Sequence, residues 1–531
     1  MARRKTQAEA TPKVEVVAPR RRLYEGAKIS RLTSDWVTSS TSADAEISGS
    51  MVRLRNRARQ LVRDSDYARQ AIRAVRNNVV GTGIRMQAQV KMRRGGRPDQ
   101  RINELIETEW KRWGRAKFCH TAGKLDFHEI ERLAVAAMCE SGEVFIRMVR
   151  QPFGGSAVPL ALEVIEADLL DETKDGYLRQ GEEWRMGVRV DEWQRPLAYA
   201  FLTRHPGDNR PAPIGREHVI VPADDVIHLM VTERPMQTRG VTWFASAIKR
   251  LHHLAGYEEA EVVRARASSS LMGFVTSPEG ELIGDDVYDG DRVSQFEPGV
   301  FKYLAPGESV TVPQLDAPDG QFEPFVRAML RAMAAGLGVS YETISRDFSQ
   351  SNYSSSRLSL LEDRENWKAL QQYLISNLHT PVFEAWMDAA VAVGALPLPA
   401  YQEQRDRYLA VNWVPRGWEW VDPEKEGKAY RDAVRNGFMT QAEVVMTRGG
   451  DFHELLEQRK AEVDQIKELQ LVFDVNPEQV AQGGMAQPSD PKDPDSGWKG
   501  GGSDETTDDS PEDDPPQDEE PVDEITDDDA P

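Results

Sequence analysis

Cysteine is nearly absent: Cys119 and Cys139 are the only two thiols in 531 residues. Two thiols cannot knit a chain of this size together, and they point to a reducing compartment and to buried or incidental roles. No run of about 18 apolar residues occurs. The nearest, AAVAVGALPLPA at 389–400, is broken by glycine and proline, so no membrane-spanning helix is expected. The basic opening residues Arg3, Arg4 and Lys5 lead into no apolar core of the kind a signal peptide needs.

The usual signatures of chemistry are missing as well. No G-x-x-x-x-G-K-[ST] loop is present to cradle a nucleotide phosphate, and GTGIRM at 81–86 lacks the third glycine of a dinucleotide fingerprint. HEIER and HELLE each lack the second histidine of a zinc helix, which leaves His128 and His453 as surface or capping residues. Cys119, His120, His128 and Cys139 are suitable ligand types without a C-x-x-C pairing. There is no G-x-S-x-G elbow. Asp224, Asp225 and His228 in PADDVIHL are candidates for acid, base or metal ligand, but a turn leading into a buried strand explains them equally. The expectation is a protein without catalysis, cofactor or metal.

What is present begins with an uneven charge. The net charge is −21, and residues 490–531 hold eighteen Asp and Glu against Lys492 and Lys499, which leaves about −5 on the rest. That acidic stretch is rich in Pro, Gly and Ser and poor in large apolar groups, a composition expected to stay disordered. The opposite end is basic, with Arg20, Arg21 and Arg22 followed by MVRLRNRARQLVR at 51–63.

The length calls for more than one packed region. Residues 51–80 read as one helix, with Leu54, Ala58, Leu61, Ala68, Ile72 and Val75 near helical spacing and Gly81 at its end. QRINELIETEWKRWG reads as the next. Asp126 and Glu129 have capping-box spacing at the head of a third, which Gly142 should stop. Short β-like runs follow: EVFIRMV, LALEVIEA, WRMGVRV, PLAYAFL, HVIVP and VIHLMV. The fold class expected is α+β, mainly helical.

From Val241 to Arg266 the pattern predicts a long helix of roughly 40 Å. A turn-rich segment comes next, with a strand pair expected around Pro306-Gly307. A second helix is predicted over Phe325–Leu337, so that helix, small β element and returning helix make a stalk with a tip. Beyond the serine-rich SRDFSQSNYSSSR at 345–357, a long helical stretch should be kinked or divided at Pro381. Two or three short helices, broken at Gly437 and Gly449-Gly450, close the ordered part.

Taken in order, NNVVGTGIRMQ, WKRWG, ESGEVFIRMV, LEVIEADLLD, ADDVIHLMVTERPMQTRGVTW, GLGVSYETISRDFSQSNYSSSRLSLLEDR and WEWVDPEKEGKAYRDAVRNGF make residues from about 20 to 470 resemble the lambda-type portal proteins of tailed bacteriophages. The resemblance implies a ring, commonly a dodecamer, at one capsid vertex of the virion, assembled in the host cytoplasm, through which DNA is packaged and later ejected. It implies as partners the terminase, capsid and scaffold proteins and head-completion or tail adaptor proteins.

It also implies a division into a basic arm at 1–50, an α+β wing at 51–240, and a first stem helix at 241–269. A clip at 270–322, a second stem helix at 323–340 and a tunnel loop at 341–357 would follow. Wing helices at 358–419, crown-like helices at 420–472 and an acidic tail at 473–531 complete the set. The clip acids Glu279, Glu281, Asp285, Asp286, Asp289 and Asp291 would face the terminase. Arg346, Asp347, Ser349, Gln350, Ser351, Asn352, Tyr353, Ser354, Ser355 and Arg357 would face DNA. Hydroxyls and amides contact phosphates weakly, and Arg346 is expected to be offset by Asp347, which suits a surface past which a duplex slides. A serine-rich N-cap that merely starts the next helix is the plainer account of the same residues. A structural ring or scaffold without a viral role, or a DNA-processing enzyme, are the rival functions. The second would need an acidic metal cluster or a nucleotide loop, which the sequence lacks.

Overall fold

The computed structural model describes residues 27, 30–31, 33–92, 96, 98–178, 181–208, 217–269, 274–276, 287–288, 291–292, 309–311, 322–350, 352–418, 423–448 and 450–469. The chain divides into two compact units, Met1–Leu455 and Leu456–Pro531. Most of the basic arm and all of the acidic tail from 473 onward lie outside the described residues.

The first helices are α1 (Ala43–Ser48), α2 (Met51–Asp64) and α3 (Asp66–Val79). The single helix expected over 51–80 is thus two. Ser65 has extended backbone, and its hydroxyl accepts from the Ala68 N–H, so it ends one helix and caps the next. Ser and Asp compete with helical hydrogen bonding, and the run Asp64-Ser65-Asp66 concentrates that competition at one point.

Strand β1 (Arg85–Ala88) pairs antiparallel with β14 (Val411–Val414). Helices α4 (Gln100–Trp113), α5 (Ala116–Cys119) and α6 (Phe127–Ser141) follow. The capping box of Asp126 and Glu129 forms at the head of α6, and Gly142, at φ 91°, ends it in a left-handed conformation open to glycine.

Strand β2 (Glu143–Val149) lies between β3 (Ala161–Ile165) and β9 (Val226–Met230), antiparallel to both. A five-stranded antiparallel sheet runs in chain order through β4 (Gly176–Tyr177), β5 (Glu183–Arg185), β6 (Val188–Val190), β7 (Pro196–Leu202) and β8 (His218–Pro222). WRMGVRV, expected as one run, is a hairpin. Met186 and Gly187 both take positive φ, the requirement of a tight two-residue turn, and separate β5 from β6.

Helix α7 (Ile248–Ser269) begins seven residues later than expected and is roughly 33 Å long. Residues 239–247 fasten the chain to the end of α6 instead: the Trp243 N–H donates to Cys139 O at 3.2 Å, and the Thr242 hydroxyl donates to the same carbonyl at 3.3 Å. β10 (Phe274–Thr276) pairs with β13 (Ser309–Thr311), and β11 (Val287–Tyr288) with β12 (Asp291–Arg292). Ser309–Thr311, the second arm of the strand pair expected around Pro306-Gly307, therefore joins Phe274–Thr276, and the first arm lies outside the described residues. So do Glu279, Glu281, Asp285, Asp286 and Asp289. Asp291 opens β12.

Helices α8 (Phe322–Leu337), α9 (Tyr341–Ser345) and α10 (Tyr353–Leu374) lead into a π turn at Ile375–His379 and then α11 (Thr380–Ala392). The π turn carries the backbone up to Pro381, which sits in the first turn of α11, where a missing N–H costs nothing. Short α12 (Arg405–Tyr408) precedes β14, and α13 (Pro423–Arg435), α14 (Gln441–Thr447) and α15 (Phe452–Glu468) follow. No helix among the described residues is long and apolar enough to cross a membrane.

The main core gathers on Trp110, whose ring lies 5.0–6.1 Å from those of Trp113, Phe127, Phe383, Trp386 and Trp413, so that α4, α6, α11 and β14 meet there. A second core fills the space between the two larger sheets, with Phe145 packed edge-on against Tyr199 and Phe201.

Between these cores is a buried charge. Glu143, at the start of β2, accepts from Arg239 Nε at 2.9 Å and from Arg239 Nη2 at 2.6 Å. It also accepts from the Gly240 N–H at 2.8 Å and bonds His228 at 3.0 Å. Both side chains of the Glu143–Arg239 pair are 0% exposed. Arg239 spends its remaining donors on Met186 O and Ala167 O, tying the β5–β6 turn to the same point. Gly142 and Gly240 cross so closely that a Cβ on Gly240 would fall 2.2 Å from Gly142 O.

Candidate functional site

The segment between α9 and α10 is an exposed loop shorter than the 341–357 expected. Tyr341–Ser345 is helical, and Tyr353, Ser354, Ser355 and Arg357 already belong to the first turns of α10. The free loop runs from Arg346 to Asn352, with Ser351 outside the described residues. Arg346 leaves α9 in a left-handed conformation, φ 58°, while its N–H still donates to Glu342 O. Asp347 then organises the turn. Its Oδ1 accepts from the Ser349 hydroxyl at 2.6 Å and the Ser349 N–H at 3.0 Å, and its Oδ2 accepts from the Tyr341 hydroxyl at 2.9 Å. These bonds, Ser349's first, hold the Asp347 carboxyl down at about 2.

The expected offset of Arg346 by Asp347 is not what forms. The cation near Asp347 is Arg327 of α8, at 3.7 Å, and Arg346 is exposed at the edge of a cleft. Neighbours in sequence diverge here because the left-handed residue turns the chain between them.

The far side of the loop is a helix cap. Asn352 Oδ1 accepts from the Ser355 N–H at 2.8 Å, and Ser355 Oγ accepts from the Asn352 N–H at 3.2 Å. Asn352 and Ser355 are therefore committed to starting α10, as the plainer account held, and Arg357 reaches away to Glu426 of α13 at 3.2 Å. What remains to face outward is Arg346, Phe348, Ser349 and Gln350 in the loop and Ser354 in the first turn of α10, all exposed.

One residue that sequence reasoning passed over fixes the loop's base. Asp363, buried in α10, accepts from the Ser340 N–H at 2.8 Å, the Ser340 hydroxyl at 2.7 Å and the Thr343 hydroxyl at 2.8 Å. It thereby pins the start of α9 against α10. Ser340-x-x-Thr343 at a helix start was the available signal; the acceptor twenty residues on was not. Beside this clamp lies a cleft of about 340 Å³ bordered by Ser340, Thr343, Arg346, Phe348, Arg357 and Trp367. Phe348, 56% exposed, and Leu360 give its lining an apolar character that a polar reading of the segment missed.

The other candidates have structural roles. His128 bonds the buried Glu131 at 3.1 Å, and the His453 N–H donates to Asp451 at the head of α15. Cys119 and Cys139 are buried free thiols, and burial pushes Cys119 up to about 12. Asp225 pairs with Arg150, and His228 with Glu143. Among the described residues one group, Glu166, Asp168 and His205, brings possible ligand atoms within 4.8 Å of one another. Asp168 already faces Arg55 at 3.0 Å and Arg59 at 2.5 Å, so two guanidiniums supply the positive charge there.

Comparison with known proteins gives the following matches. A family model described as phage portal protein, lambda family, matches residues 30–371. A probable portal protein of Halomonas phage phiHAP-1 is 32% identical over 457 residues, 84% of this chain and 87% of that protein. Portal protein B of Escherichia phage lambda is 23% identical over 465 residues, 80% and 86% of the two chains. The portal protein of Escherichia phage N15 is 22% identical over 80% of this chain and 87% of its own. Among solved structures, a chain from the neck of an empty GTA particle aligns with a TM-score of 0.44 at 12% identity, over 74% of this chain and 93% of that one.

Proposed function

Since this chain belongs to the lambda family of phage portal proteins, we propose that its regions divide the work of a DNA channel, with the loop at 346–352 reaching the passing duplex. As a portal protein it forms a homo-oligomeric ring at one vertex of the capsid, part of the virion, and serves DNA packaging. Its relatives' role is structural, and we infer no catalysis of its own.

The finer reading has α7 and α8 as the stem, the segment between them as the clip, the α+β part before them as most of the wing, and α13–α15 as a crown. The clip acids would meet the terminase, and capsid, scaffold and adaptor proteins would dock elsewhere on a ring of twelve copies assembled in the host cytoplasm. The loop's own bonding supports weak rather than tight DNA contact. Ser349, Asn352 and Ser355 spend hydrogen bonds on the loop itself, and only Arg346 offers an uncommitted charge there. A surface so arranged neutralises few phosphates and releases few counterions.

The observation that carries the function is the family match across 30–371. Negative-stain microscopy of the purified chain tests it, with closed rings around a central channel as the expected result. Monomer alone at every salt concentration and protein concentration would overturn it.

A further inference from the structure

Helix α3 carries Arg69, Arg73 and Arg76 at i, i+4 and i+7, one face of the helix. Arg69 is turned back onto Val62 O. Arg73 is exposed and Arg76 half-buried, and neither has a hydrogen-bonding or ionic partner among the described residues. The Nε of Arg76 is shut off from water without any partner. Beside them on α6, which packs against α3, Arg132 is held in place by a bond to Gly81 O at 3.2 Å. Burial, then Arg132 and Arg73, weaken the hold of Arg76 on its proton.

Several acids on the neighbouring elements are spent or distant. Glu129 accepts from the Asp126 N–H, Glu131 is buried among Ile84 N, His128 and His379, and Asp64 pairs with Arg63. Asp66 sits roughly 10 Å along α3 from Arg73. Helix α2 makes the contrast. Its Arg55 and Arg59 are also four apart, and both are met by Asp168. At Arg55 and Arg59 the carboxylate is supplied from within the chain, whereas a half-buried guanidinium without a partner, as at Arg76, is costly.

We propose that Arg73, Arg76 and Arg132 form an oxyanion site that takes the phosphodiester backbone of DNA, distinct from the loop at 346–352. Three guanidiniums carried on two packed helices, one of them held by Gly81 O, offer paired N–H donors that suit phosphate and read no sequence. That the anion is DNA rests on the portal assignment.

The test uses assembled wild-type rings and the Arg73→Gln/Arg76→Gln variant, with binding of two unrelated 30-bp duplexes followed across a salt series. The expected result is sequence-independent binding whose dependence on log salt is shallower in the variant by about 2 for each subunit that contacts the duplex, and so by at least about 2 in all, with rings intact. Arg73→Lys/Arg76→Lys should keep the wild-type slope. An unchanged slope in the glutamine variant overturns the site. So does loss of its rings, which would make these arginines an interface between copies, and so does equal competition by polyglutamate, which would make the ligand an acidic protein segment. If the wild-type chain itself forms no rings, it is the portal assignment that fails.

Discussion

Glu143 and Asp347 are both carboxylates held well below their ordinary range, and they reach that state by opposite routes. At Glu143 burial works to raise the carboxyl, and the pairing with Arg239 and the bond from His228 overcome it. At Asp347 burial plays little part, and hydrogen bonds from Ser349 and Tyr341 suffice. The first arrangement joins residues 96 apart in sequence, the second residues two and six apart. A buried pair of the first kind binds sheet, turn and helix approach into one body, whereas the second shapes a turn and leaves the body alone.

The comparison breaks most visibly at Arg239. Arg239→Met leaves Glu143 buried without its main partner and should cost about 3–5 kcal/mol, read as a fall in the urea midpoint. Arg346→Met in the loop should stay within about 0.5 kcal/mol. The pH dependence adds a sign. In the wild type the lowered Glu143 carboxyl contributes stability that is present above about pH 4.5 and declines as pH falls toward its folded value. In the variant, protonating Glu143 relieves a buried charge that has lost its main partner, so the gap between the two proteins should narrow from pH 7 to pH 4. A gap that widens on acidification would contradict the assignment.

A smaller effect is expected at Asp363, which lies in α10 beneath the loop and is buried like Glu143. Asp363→Ala takes the acceptor from the Ser340 N–H and from the Ser340 and Thr343 hydroxyls, which keep only their bond to each other, and should cost about 1–3 kcal/mol. Protease cleavage within 341–352 should rise more than the global loss of stability accounts for. Cleavage that merely tracks global unfolding would show that Asp363 does not govern the loop.

The smallest effect on stability belongs to Gln350→Arg with Ser351→Arg, which spares the Asn352 cap. Melting should move by less than about 0.5 kcal/mol. Packaging in vitro should slow at low salt and recover as salt rises, because added cations hold phosphates more tightly. A wild-type rate at every ionic strength would return this segment to the role of helix cap.

These differences also mark what the sequence could disclose. EVFIRMV, PLAYAFL and HVIVP were legible to the residue, since each is bounded by turn formers and filled with strand formers. Asp126, Glu129 and Gly142 were legible for the same reason, their partners being local. The start of α7 was not. Val241–Ala247 has helical spacing, but Thr242 and Trp243 spend their donors on Cys139, a bond that periodicity cannot reveal. Arg346 and Asp347 looked like a pair because they are adjacent, until a left-handed residue turned one of them away. Neither Asp363 nor the Glu143–Arg239 pair carries any local mark, because each is defined by a partner many residues away.

The crossing of Gly142 and Gly240 leaves no clearance between the end of α6 and the strap that leads to α7. Mechanically this is a joint without play. A pull on α7 passes along eight residues whose backbone is tied at Gly240 to the buried Glu143 carboxylate of β2 and at Trp243 to the Cys139 carbonyl of α6. Tension applied along the helix is therefore expected to reach α6 and the sheet through these two ties.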